Sequence, residues 1–269
     1  MSLPNVLSAL AEPGWKNYDD FAQGIDTNRL PSTHHWQGKG FTIVFEEGQT
    51  LRLAFLSGDL HQVRWESGNE QGVDFYDEVC TSESHYFFSV QFAAKPDECL
   101  VLVVNTQTRR VLAVRCKLLS AEQATGGSRL AQRFMAGYIE GETPQGMVPA
   151  LTRELIGYRA LNIYSPNHYY EHFYVNSERY AWQNLRGEQF GHGDMDYATY
   201  YKFSPDKYLF SFREKIIPVC SVFFFDYQLG RCTGIFMGVA ASGEIQIRPA
   251  GAFISKMSFN CYPVGVAPL

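Results

Sequence analysis

Three groups of polar and ionisable residues fall between Tyr169 and Phe236: Tyr169-Tyr170-Glu171-His172-Phe173-Tyr174, Gly191-His192-Gly193-Asp194-Met195-Asp196 and Phe212-Arg213-Glu214. Carboxylate, imidazole and phenol set among aromatics are the parts of general acid/base chemistry, in which a positioned side chain gives or takes a proton. Alternate residues of a strand share a face, which groups Phe210, Phe212 and Glu214, likewise Tyr170, His172 and Tyr174, and likewise Tyr180, Trp182 and Asn184. If the first set faces a barrel interior, Glu214 is a carboxyl group in an aromatic pocket, where its pKa rises and it can donate a proton near neutrality. The competing reading puts Glu214 in an exposed turn, Arg213-Glu214-Lys215, as a solvated charge.

The glycines of Gly191-His192-Gly193-Asp194 let a loop present an imidazole and a carboxylate at a barrel mouth, although an ordinary polar hairpin turn has the same composition. His168, His172, His192, Asp194 and Asp196 form a ligand-like inventory. Along a strand, however, His168 and His172 stand roughly 13 Å apart, too far to share an ion, so no metal and no cofactor are expected. There is no phosphate loop, no G-x-G-x-x-G after a strand and no nucleophile elbow. His34-His35-Trp36 reads as an incidental loop, since adjacent residues of an extended chain point to opposite faces.

The elements that must hold these groups are short strands. From Gly40 onward Phe41 to Phe45, Leu51 to Phe55, Gln62 to Trp65, Tyr86 to Phe92, Leu100 to Val104 and Arg110 to Arg115 alternate with turn signals, an antiparallel meander. The pattern then recurs. Gly40 and Trp65 reappear as Gly157 and Trp182, offset by 117, and Asp74 and Tyr86 as Asp196 and Tyr208, offset by 122. Cys99 and Arg110 return as Cys220 and Arg231, offset by 121. A register held over these markers indicates duplication into two domains.

Duplication supplies an internal control. His172 answers Phe55, Glu171 answers Ala54, Tyr170 answers Leu53 and Glu214 answers Phe92, while His192 lies in five extra residues with no counterpart. The second unit is therefore expected to carry the chemistry and the first to be structural, burying one face of its twin or mediating homodimerisation.

A meander of about six to eight strands hides its edges most simply by closing, so the expected fold is mainly β: two tandem antiparallel barrels with short helices at the N-terminus and linker. Residues 1–37 form a helical strap or lid with candidates at Val6 to Ala11, stopped by Pro13-Gly14, and at Tyr18 to Gln23. Residues 38–119 form the first barrel, 120–149 the linker, and 150–269 the second barrel. Within the linker, Thr125-Gly126-Gly127-Ser128 reads as coil and Leu130 to Tyr138 as a short helix across a barrel end. Ile245 to Ile247 and Phe253 to Phe259 are the last strands.

Composition agrees: of 269 residues 15% are aromatic, with 20 Phe and 16 Tyr, which suits pleated half-buried surfaces. A net charge of −5 without charge runs leaves no footprint for nucleic acid or an anionic membrane, and no segment has the apolar length of a membrane helix. With no signal-peptide pattern and Cys80, Cys99, Cys116, Cys220, Cys232 and Cys261 scattered without Cys-x-x-Cys spacing, reduced thiols in the cytoplasm are expected.

The run from Ser165-Pro166-Asn167-His168 through His172, Gly191-His192-Gly193-Asp194 and Phe212-Arg213-Glu214-Lys215-Ile216-Ile217-Pro218 resembles the molybdenum cofactor biosynthesis F (MoaF) family, over a first domain near 38–118 and a second near 150–240. That resemblance implies lipocalin-like barrels. The second domain is also similar to bacterial phenolic acid decarboxylases, cofactor-free lipocalin-like lyases: Leu155-Ile156-Gly157 opens the domain and Ser211-Phe212-Arg213-Glu214 falls where that family has its catalytic Glu. Tyr164 falls in its substrate-binding Tyr-x-Tyr pair, whose first member is Asn162 here, and the region of its carboxylate-binding Arg reads Gly191-His192-Gly193.

Two functions follow as expectations. The first is a cofactor-independent lyase or isomerase acting on a small, phenolic aromatic held in the second barrel. Glu214 would be its acid/base and Tyr164 its anchor for a substrate oxygen, with His192, His172, Asp194 and Asn162 assisting and Tyr170, Tyr174, Trp182 and Phe212 as apolar wall. The second is a non-catalytic lipocalin-like binder using the same residues.

Overall fold

A computed structural model describes residues 18–124 and 127–269. The helix expected at Val6 to Ala11 and the Thr125-Gly126 part of the linker lie outside the described residues. The described residues begin with α1 (Tyr18–Ala22) and an extended strap, followed by eight strands: β1 (Gly40–Phe45), β2 (Thr50–Phe55), β3 (Gln62–Ser67), β4 (Glu70–Ser82), β5 (His85–Gln91), β6 (Glu98–Asn105), β7 (Arg110–Leu118) and, after the short helix α2 (Ala121–Ala124), β8 (Leu130–Ile139). Each pairs antiparallel with the next, and β8 returns to β1 through Ile43 and Ile139, closing the barrel.

The second unit repeats this. After the two-residue β9 (Ala150–Leu151), its strands are β10 (Tyr158–Ser165), β11 (His168–Asn176), β12 (Arg179–Gly187), β13 (Gly193–Ser204), β14 (Lys207–Arg213), β15 (Val219–Asp226), β16 (Arg231–Val239) and β17 (Ile245–Phe259). Pairing of β10 with β17 and of β12 with β13 closes the ring, and β9 lies on β13.

Two sequence expectations are corrected. Leu130 to Tyr138 is not a helix but β8, so the first barrel extends to Ile139. Its Leu130, Phe134 and Tyr138 have helical spacing, but both faces of the strand are covered: Met135 and Ile139 enter the first core, while Phe134 stacks on Tyr201 of the second barrel at 5.0 Å. Tertiary packing on two sides outweighs helix propensity. Gly137 is needed here, since a Cβ would lie 2.6 Å from the carbonyl oxygen of Val44 on β1. Ile245 to Ile247 and Phe253 to Phe259 belong to one strand interrupted by Pro249 in sequence only. Around Pro249 β17 pairs with β16 alone, β10 joining from Phe253, so the missing N–H costs no ladder bond.

Three apolar clusters hold the molecule together. One fills the first barrel, with Leu53, Phe55, Phe88 and Leu102; a second fills the second barrel, with Tyr174, Tyr200, Phe210 and Phe225. The third lies between the barrels, where Cys99, Val101 and Val114 meet their own duplicates Cys220, Val222 and Ile235. Both barrels therefore pack through the same face, as in an isologous dimer. One polar pair breaks the likeness. His85 and Asn105 are joined at 3.0 Å in the first barrel, whereas the duplicate positions hold a buried Lys207–Asp226 ion pair at 2.8 Å. The His85 ring stacks on Phe224, and burial together with the Lys207 charge holds its pKa down at about 4.

The strap runs across both barrels. Its α1 end packs Tyr18, Phe21 and Ile25 into the second core; its other end packs Trp36 against Phe41, Phe55 and Phe88 of the first. Between them Asn28 donates from its backbone to Tyr164 (2.9 Å) and from its side chain to Ile163 (3.0 Å), and Arg29 pairs with Asp77. Buried Glu78 accepts from Thr33 and from the backbone of His35 and Trp36.

Candidate functional site

The duplicated tryptophan and aspartate make the same contact twice. Trp65 Nε1 donates to Asp74 at 2.7 Å and Trp182 Nε1 to Asp196 at 3.1 Å. The other oxygen of each aspartate accepts a backbone N–H from the strand beyond, Ala93 at 2.8 Å and its duplicate Lys215 at 3.3 Å. This clamp is structural in both barrels. Beside it, the first barrel places Phe92 and the second Glu214. The β13–β14 ladder pairs Tyr197 with Arg213, and one step further sets Asp196 opposite Glu214, within the reach of cross-strand neighbours.

Glu214 is buried, so the exposed-turn reading does not hold. It faces the lumen with Tyr164, Tyr170, His172, Trp182 and Phe212, all expected from the sequence, and with Tyr180, Gln189 and Phe236, while Phe21 and Ile25 of the strap close the opening. Tyr174 lies deeper, packed on His172 and Phe210, with its hydroxyl 3.4 Å from that of Tyr227. Asn162 is fully buried on β10 with neither amide atom hydrogen-bonded, and it does not line this cavity.

His192 and Asp194 correct the expectation for the loop. They line an open groove of about 610 Å³ outside the lumen, with Arg159, Glu171, Gln183 and Ser258. The extra residues fold back on β12, with the backbone N–H of His192 donating to Gln189 and that of Asn184 to His192. What they deliver to the lumen is Gln189, whose side chain accepts from the Tyr170 hydroxyl at 2.6 Å. The turn depends on Gly187, which has φ of 123° and whose Cβ would fall 1.6 Å from the carbonyl oxygen of Asn167. Gly187→Ala is expected to destabilise the protein by more than about 1 kcal/mol and to lengthen or break the Tyr170–Gln189 bond, measured by thermal melting and by the pH titration of tyrosine absorbance.

The electrostatics of the lumen come from burial. Desolvation, then the charges of Asp196 and Asp194, push Glu214 well above the usual carboxylate range. Asp196 is raised to about 7 by burial and by Asp194, against the opposing pull of Trp182 and Lys215. Burial alone holds His172 down at about 3, and its Nδ1 has no hydrogen-bond partner. Tyr164 is pushed well up by burial. At neutral pH the lumen thus offers a protonated carboxyl, a neutral imidazole with a free ring nitrogen, and phenols.

Sequence reasoning named Asp196 as a duplicated marker and a possible metal ligand but not as the neighbour of Glu214, and it missed Gln189. Asp196 is polar in both copies, so a comparison that keeps only differences discards it; the signal was the shared Trp–Asp spacing. Phe21 and Ile25 come from a segment with no duplicate. Among the described residues no group of three or more His, Cys, Asp and Glu side chains is placed to hold a metal ion, and no helix is long and apolar enough to cross a membrane.

Residues 13–120 match the MoaF N-terminal domain and residues 149–259 the MoaF C-terminal domain. Protein MoaF of Klebsiella aerogenes is 43% identical over 122 residues, a stretch that covers 45% of this chain and 46% of that protein, so the similarity spans about half of the relative's length. Among solved structures, a Burkholderia vietnamiensis protein with a provisional beta-lactamase label is 13% identical with a TM-score of 0.34, covering 40% of this chain and 100% of its own. The DNA polymerase III beta chain of Streptococcus pneumoniae is 9% identical with a TM-score of 0.13, over 90% of this chain and 84% of its own. Likenesses of that size carry no argument about fold or activity. Two domain models matched in order, one on each barrel, establish that the chain belongs to the MoaF family.

Proposed function

We propose that the second barrel is a cofactor-independent lyase or isomerase site for a small phenol-like aromatic, with Glu214 as its general acid/base. The observation that carries this reading is the placement of Glu214, a buried carboxyl held in its protonated form among Tyr164, Tyr170, Trp182 and Phe212, where the duplicate barrel has Phe92. A proton can pass from Glu214 to a substrate carbon, while Nδ1 of His172 accepts a hydrogen bond from a substrate hydroxyl when its ring is in the tautomer protonated at Nε2. The test is incubation of phenolic aromatics with the protein in deuterium oxide, followed by NMR. Solvent deuterium should enter the substrate with the native protein and not with Glu214→Gln, while affinity for an uncharged phenolic ligand survives in both. Equal incorporation by both proteins would remove Glu214 from the chemistry.

A non-catalytic binder is the second reading, favoured by the near-complete filling of the lumen. The closed cavity has about 30 Å³, room for a water or two, so an aromatic ligand needs the strap to lift. Phe21→Ala is expected to raise the association rate of a bound aromatic by about ten-fold, since the open state limits access. Stopped-flow quenching of Trp182 fluorescence would measure it, and an unchanged rate would separate the strap from ligand access.

A further inference from the structure

The charge pattern of the same lumen narrows what it can hold. Two carboxyl groups, Glu214 just past the end of β14 and Asp196 on β13, are neighbours across the ladder, with Asp194 close enough to act on both. No Lys or Arg lines the cavity among the described residues. The nearest cations are directed elsewhere: Arg213 and Lys215 both lie over the ring of Tyr197, at 5.8 Å and 5.2 Å. The one basic side chain that lines it among the described residues, His172, is 4% exposed with an unpartnered Nδ1. Around the carboxyls stand the rings of Tyr164, Tyr170, Tyr180, Trp182 and Phe212, whose negative faces attract cations.

From this arrangement we infer that the lumen selects a protonated aromatic amine and excludes aromatic carboxylates, with Glu214 as the counter-ion of the ammonium group. The inference rests on the reading that the second barrel is the ligand site, and adds the charge of the ligand. A carboxylate would meet two acidic groups and find no cation, and removing it from water without a partner is costly. An ammonium group gains an ion pair and aromatic faces in a low-dielectric setting. Its phenolic or apolar end would lie towards His172 and the Tyr170–Gln189 pair, which supply neutral hydrogen-bonding groups.

Proton linkage makes the inference measurable. The groups facing Glu214 are Asp196 and Asp194 from β13, Tyr170 and His172 from β11, Tyr164 from β10 and Tyr180 from β12, with Lys215 next in the chain; the strap presents only Phe21 and Ile25. Glu214 is protonated in the free protein, so pairing with an ammonium expels its proton to solvent. Affinity for the amine should therefore rise with pH above the ordinary carboxylate range, by up to about ten-fold per unit, until Glu214 itself ionises in the free protein.

The experiment uses three near-isosteric probes on the full chain: para-hydroxybenzylamine, para-hydroxybenzyl alcohol and para-hydroxybenzoate. Isothermal titration calorimetry in two buffers of different ionisation enthalpy gives affinity and protons exchanged. The expected result is that the amine binds at least about ten-fold more tightly than the alcohol, a difference of about 1.4 kcal/mol. It should release close to one proton, and the benzoate should not bind. In Glu214→Gln the amine should lose this advantage while the alcohol keeps its affinity. Equal or tighter binding of the alcohol or the benzoate overturns the inference and leaves the lumen as a ligand site. Failure of all three probes overturns both, and amine binding without proton release removes Glu214 as the counter-ion.

Discussion

Glu214→Gln should become more stable relative to the native protein as pH rises above about 4.5, the difference in Tm widening until the buried carboxyl ionises. The sign follows from the raised pKa. In the unfolded chain Glu214 loses its proton near its ordinary 4.5, whereas in the folded barrel burial and the neighbouring aspartates keep it protonated to a much higher pH. Across that window the native state binds one proton more than the unfolded state, so native stability falls by about 1.4 kcal/mol per pH unit from this group. The contribution is whole below pH 4.5 and lost as pH climbs through the folded pKa. Glutamine carries no such proton. Each kcal/mol corresponds to roughly 2–4 °C in a protein of this size, so calorimetric melts at three pH values resolve the effect. His172 works in the opposite direction, its contribution being lost as pH falls from 6.5 towards about 3, but it is common to both proteins and cancels in the difference. Parallel pH profiles for the two proteins would contradict a protonated Glu214. The same substitution should lower any turnover by at least about a hundred-fold.

Asp226→Ala is expected to cost about 3–5 kcal/mol, the penalty for leaving the charge of Lys207 buried without its partner. The aspartate also ties the following turn, accepting the backbone N–H groups of Gln228 at 3.1 Å and Leu229 at 3.0 Å. Asn105 has the same turn role in the first barrel, accepting from Gln107 and Thr108, but its side-chain partner is a neutral imidazole. Asn105→Ala should therefore cost less, about 1–2 kcal/mol. The pair separates turn from charge. Adding Lys207→Met to Asp226→Ala should restore a large part of the loss, because the uncompensated ammonium is then gone. Chemical denaturation of the four proteins decides it, and a double variant no better than Asp226→Ala would assign the whole effect to the turn.

The barrels were legible because spacing survives duplication: the Gly40, Trp65, Asp74 and Cys99 markers fix which strands correspond, and alternation groups Tyr170 with His172 and Phe212 with Glu214 on shared faces, while only the structure shows that these faces and Trp182 turn to the lumen. Other parts needed the tertiary structure. The long strand β4 carries Asp77 and Glu78 because the strap supplies their partners, so its polar residues broke the strand pattern. The loop before β13 turns His192 away while bringing Gln189 inward, through the turn that glycine at 187 permits and that the types of Gln189 and His192 do not announce. Tyr174 shares a face with Tyr170 and His172, as read, but packs on Phe210 and Phe225 and does not line the cavity; Asn162, opposite Tyr170 on β10, does not line it either.

The strap gives the first barrel a part in whatever the second one does. Its tether at Trp36, Glu78 and Arg29 belongs to one barrel, while the plug of Phe21 and Ile25 belongs to the other. Loosening the tether leaves every lumen contact intact and still changes how often the plug is out, so substitutions remote from the lumen can act as a gain control on it. If the second barrel is the ligand site proposed above, the first is then the spring against which it opens.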